Sequence, residues 1–209
     1  MASSRRVGAL LSYVYMAVNV VVQLIYVPLL LGSIGRDEYG MYQLIGSIMA
    51  YVISINGVLA AGVGRFYCKY LAEGNREKAE NTLAISRRIY WIMSALALLV
   101  VGILAIVFRI VYSSSFTPVQ IEECTAMLLV LGINTVVTMN NTVSIAAITA
   151  YERFVFLKLS SLIVLIAQPI LVIYFTGLFP NALTVTVVIL AMNAACAFVQ
   201  SLYRRNILK

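Results

Sequence analysis

The chain has no histidine, and only 8 of its 209 residues are acidic. The first absence removes Ser-His-Asp and Cys-His catalysis and every histidine metal site. The second leaves charged residues at 11% of the chain, against about 25% in an ordinary soluble domain. That is too little charge to wet a globular surface of this size. Cysteine is also scarce. Cys68, Cys124 and Cys196 lie far apart and form no CxxC pair, so neither a disulfide framework nor a thiolate metal cluster is expected. All three read as small buried hydrophobes. There is no GxxxxGK[ST] phosphate loop, and Gly62-Val63-Gly64 is too short for a dinucleotide loop. No metal or cofactor is expected.

What the chain does have is apolar sequence. Apolar residues make up 62% of it, and the mean hydropathy is +0.97. These values exclude a disordered chain and predict an all-α polytopic membrane protein. Uncharged runs cover residues 7–35, 39–64, 89–108, 124–151 and 159–203. The last is too long for one crossing, and the turn formers Gly177, Pro180 and Asn181 divide it. Six transmembrane helices result, at about 8–34, 41–63, 89–112, 122–150, 157–178 and 183–203. Each meets the roughly 20 residues needed to cross about 30 Å of hydrocarbon. The first run has 29 residues, against about 7–15 for a signal-peptide core, so it is expected to stay as a helix. The whole of 1–209 is read as one six-helix lobe. Residues 65–88 form the only strongly polar region. Gly74 and Asn75 are expected to end one helix and cap the next, giving a hairpin near the membrane surface.

Lysine and arginine set the orientation. With the N-terminus in the cytoplasm, 13 of the 15 basic residues fall on the cytoplasmic side, and only Arg36 and Arg109 fall outside. Both termini are then cytoplasmic. The basic residues sit between apolar runs rather than in one patch, so no nucleic-acid partner is expected.

The eight carboxylates all fall at or beyond the ends of the expected helices. No acid–base pair and no ion relay lies within a span, and an enzyme is not expected. Polar residues within the spans are amides and hydroxyls. They include Asn19, Gln23, Asn56, Asn134, Asn140, Asn141, Gln168 and Asn193. Their plain role is to join helices, at about 0.6 kcal/mol per hydrogen bond. The functional alternative is a polar cavity. Asn19 and Gln23, four residues apart on one helix face, join Asn56 as the candidate substrate-binding amides. Arg65 is the candidate to grip a phosphate through paired hydrogen bonds. Pro28 and Pro169 each remove a backbone bond within a span. Gly57, Gly62 and Gly64 are expected to allow close helix approach.

Two segments resemble a known family. LLGSIGRDEYGMYQLIGS (residues 30–47) resembles the LG…YGxYxL turn of bacterial polysaccharide flippases. GRFYCKYLAEGNREKAENTLAIS (residues 64–86) resembles that family's cytoplasmic loop between its second and third helices. These flippases belong with the MATE and lipid II transporters in the multidrug/oligosaccharidyl-lipid/polysaccharide exporter superfamily. The resemblance implies the N-terminal lobe of a MATE-like, two-lobe transporter in the bacterial cytoplasmic membrane. It implies a lipid-linked oligosaccharide on an undecaprenyl-pyrophosphate carrier as substrate. A second lobe would come from another chain, a second copy or a C-terminal half. Arg65 with Asn19, Gln23 and Asn56 would hold the head while the lobes rock. A MATE-type cation-coupled drug antiporter half remains an alternative. So does a non-transporting scaffold subunit or fragment of a glycan-assembly complex.

Overall fold

A computed structural model describes residues 2–207. The side chains of 2–10, 55, 57–61 and 207 lie outside that description. Gly57, and Arg5, Arg6 and Lys209 among the 13 basic residues counted on the cytoplasmic side, therefore fall outside the described side chains. Six helices follow one another: α1 (Ala2–Ile34), α2 (Arg36–Ala72), α3 (Arg76–Val111), α4 (Pro118–Ala150), α5 (Phe154–Leu178) and α6 (Ala182–Ile207). No strand occurs among the described residues.

The breaks have local causes. Gly35 sits at φ +84° and Gly74 at φ +71°, a region that glycine adopts without a Cβ penalty. Asn75 accepts a hydrogen bond from the Lys78 amide at 3.1 Å and caps α3. Thr117 and Gln120 form a reciprocal capping box ahead of α4, with Pro118 in its first turn. Asn181 accepts from the Thr184 amide at 2.9 Å at the start of α6. The expected split of the last apolar run thus falls between Leu178 and Ala182.

Five helices are long and apolar enough to cross a membrane: Leu11–Ile34, Arg76–Val111, Pro118–Ala150, Phe154–Leu178 and Ala182–Asn206. The chain is an all-α, multi-pass membrane protein. The remaining expected span lies in α2, where side chains 55 and 57–61 are outside the description. At 37 and 36 residues, α2 and α3 are each roughly 55 Å long, well beyond the hydrocarbon thickness. The polar hairpin is the continuation of these two helices rather than a separate pair lying on the surface.

Helix α4 is central and packs on α2, α3 and α6, whereas α1 lies mainly along α5. The Ala182 amide donates to Glu38 Oε2 at 2.7 Å, which joins the α1–α2 turn to the α5–α6 turn. Tyr67 meets Tyr151 at the opposite end. Two apolar clusters fill the α2–α3–α4 side. One is built on Met41, Ile45, Val101 and Met127, the other on Tyr67, Leu83, Tyr90 and Met139. A third, with Leu30, Val172 and Val185, joins α1, α5 and α6.

Two expectations need correction. Among the described residues, a Cβ added at Gly62 or Gly64 would meet nothing within 4 Å, so those glycines make no close approach there. The close approach is at Gly132 of α4, where an added Cβ would stand 3.0 Å from Val101 Cγ1 of α3. Of the three cysteines only Cys124 is buried. Cys196 is partly exposed, and Cys68 is exposed on the polar stretch of α2.

Candidate functional site: an uncharged cavity among α1, α4, α5 and α6

Helices α4 and α6 are joined by amides at a repeated spacing. Asn193 Nδ2 donates to Asn134 Oδ1 at 2.9 Å, and Asn141 Nδ2 donates to Gln200 Oε1 at 2.8 Å. Both pairs are 59 residues apart. A seven-residue step along α4 therefore matches a seven-residue step along α6. The two helices run in the same direction, and two turns separate one amide pair from the next. Gln200 Nε2 also donates to Ser160 Oγ on α5 at 3.0 Å and to Cys196 Sγ at 3.3 Å.

These amides form one wall of a cavity of about 350 Å³ between α4, α5, α6 and α1. Asn141, Asn193 and Gln200 face Gln23, Tyr15 and Tyr26 of α1, with Ser161 and Gln168 on α5. Leu165 and Pro169 also line it. Proline has no N–H, so the Leu165 carbonyl lacks its usual helical donor and adds an acceptor there. Two of the lining residues also carry a polar atom that is closed off from open space and has no partner among the described residues: Asn141 Oδ1 and the Tyr26 hydroxyl, the latter near Tyr39 and Tyr42. Such a group costs about 1–3 kcal/mol when nothing meets it. Among the described residues, no charged side chain lines the cavity. Lys158 stands behind Tyr15, its Nζ 5.7 Å from the ring centroid.

The four residues chosen from sequence separate. Gln23 lines this cavity. With Asn19 it also lines a shallow groove of about 500 Å³ on α1, together with Val20, Leu24, Val27 and Pro28. Asn56 lines neither; its Oδ1 is buried with no partner among the described residues. Arg65 is exposed and lines neither. The reason is packing: α1 lies along α5, so amides on α1 and mid-α2 do not converge.

Asn141, Gln200, Tyr15 and Tyr26 were not chosen from sequence. The matching seven-residue spacings, Asn134 to Asn141 and Asn193 to Gln200, were the available signal. Glu123 also departs from expectation. It lies in the second turn of α4 beside Glu38, and its Oε1 is buried with no partner among the described residues. At the hairpin end, Arg204 is only 7% exposed and lies near Tyr67 and Arg87. No family model, no curated protein and no solved structure matches this chain.

Proposed function

We propose that this chain is one lobe of a transporter that moves a lipid-linked saccharide across the bacterial cytoplasmic membrane by alternating access. The observation that carries the reading is a cavity lined by amides and hydroxyls among helices that are otherwise apolar. Polar groups inside a bilayer are costly, and a cluster around open space points to a polar passenger. In this reading α2 is the sixth span, and the termini and the hairpin are cytoplasmic.

The groove on α1 supports a second lobe. Gln23 is exposed on a helix that otherwise shows Tyr13, Met16, Val20 and Leu24 outward. An amide on that face is better placed against a partner bundle or an aqueous lumen than against lipid. A pyrophosphate would find cations at the hairpin end, where Arg87, Arg204 and Arg205 gather, rather than in the cavity. The test is flipping of lipid-linked sugar in cells lacking their own exporter, with a candidate second lobe co-expressed. Export that depends on Gln200 is the expected result; export unchanged in Gln200→Leu contradicts the reading.

One observation favours a second reading, cation-coupled antiport. The buried oxygen of Glu123 beside Glu38 is a place where a proton would be held. Ion-driven efflux from vesicles that ignores lipid-linked sugar, and is lost in Glu123→Gln, would select it.

A further inference from the structure

The amide cavity shares a wall with a second, chemically opposite space. A groove of about 340 Å³ runs between α1 and α5, lined by Ile25, Leu29, Ile166, Ile170 and Ile173. Val22, Tyr26 and Pro169 line both spaces. Ile25 is 57% exposed and Ile170 is 63% exposed, so the groove opens toward the hydrocarbon. Tyr26 stands at the boundary. Its ring contributes to the apolar side, and its hydroxyl is one of the two buried atoms without a partner.

We propose that the α1–α5 seam is a binding site for a single amphiphile, an uncharged glycolipid, with its sugar in the amide cavity and its hydrocarbon chain in the groove. The saccharide part of this rests on the transport reading above. Three features select this occupant. Gln23 and Gln168 line the cavity and offer amide donors and acceptors, which sugar hydroxyls satisfy. Among the described residues no cation lines either space, so a phosphate placed here would be desolvated without a counter-charge. The cavity is at the small end of the roughly 300–1,000 Å³ range of ligand sites, which suits a single sugar ring better than a long oligosaccharide. A helix of a second bundle could cover the groove, but it would leave the amide-lined cavity unfilled. An amphiphile reaching from the bilayer meets both requirements and passes between α1 and α5.

The experiment is photolabelling of the full chain in lipid nanodiscs. Three probes carry the same diazirine-bearing prenyl chain: a neutral monoglucoside, a phosphate and the free alcohol. The expected result is strongest labelling of peptides bearing Ile25 and Ile170 by the glucoside. Gln168→Ala should lower that labelling about threefold to tenfold, as for one lost hydrogen bond. Ile170→Trp fills the groove from a bilayer-facing position without touching the amide network. It should reduce glucoside labelling even if Gln168→Ala proves too unstable to read. Equal labelling by the free alcohol would make the groove an ordinary lipid contact, and stronger labelling by the phosphate would reverse the charge preference. Either result, or no change in both variants, overturns the proposal. Seam labelling without flipping leaves the site standing and removes transport. Flipping without seam labelling does the opposite.

Discussion

The two sides of α4 are built to different rules. Toward α3 the contact is dry and close, with Gly132 admitting Val101 and apolar clusters above and below. Side-chain hydrogen bonds cross there as well, from Asn140 Nδ2 to Ser94 Oγ at 2.9 Å and from Arg109 Nε to Thr125 Oγ1 at 3.4 Å, but they bridge no open space. Toward α6, α5 and α1 the contact is polar and leaves space, with amides bridging beside the cavity. In lipid there is no hydrophobic drive between helices, so shape and hydrogen bonds must do the joining. One side uses shape and the other hydrogen bonds. The second is the side that can exchange a partner for a ligand.

Substitutions can break this contrast. The largest stability effect is expected at the dry contact. Gly132→Leu forces bulk against Val101 and should cost about 1–3 kcal/mol in detergent unfolding. Gly64→Ala, where a Cβ meets open space, should change stability by no more than about 1 kcal/mol and in the favourable direction. On the wet side the effect should fall on function. Gln200→Leu should reduce sugar-lipid flipping about tenfold, the equivalent of roughly 1.4 kcal/mol, with a smaller loss of stability. Asn75→Ala removes the α3 cap and should cost about 1 kcal/mol, read as faster hydrogen exchange confined to the hairpin. Asn193→Ala should cost only about 0.6 kcal/mol, since membrane amides readily find other partners. A loss above 2 kcal/mol there would make the α4–α6 amides structural before anything else.

Much of the helix plan was legible in the residues, because charge and turn formers punctuate an apolar chain. Gly35, Gly74 with Asn75, and residues 177–181 mark three of the breaks. Which helix packs on which was not legible. Faces toward lipid and faces toward protein are equally apolar here, so periodicity does not separate them. Pairing α1 with α2, as the chain order suggests, places Asn19, Gln23, Asn56 and Arg65 together. Pairing α1 with α5 keeps only Gln23 of these four and sets it with Asn141, Gln168 and Gln200. The amides themselves were visible; their convergence depends on contacts 59 residues apart.

The most direct test uses a native reporter. Cys196 lines the cavity and accepts a hydrogen bond from Gln200. In a Cys68→Ser, Cys124→Ser background, the folded protein is exposed to a small uncharged alkylating reagent and to an anionic one of similar size. The account predicts that the neutral reagent modifies Cys196 and that the anionic reagent reacts far more slowly. A thiol that resists both until the protein unfolds would mean a dry, closed bundle, and the account would be wrong.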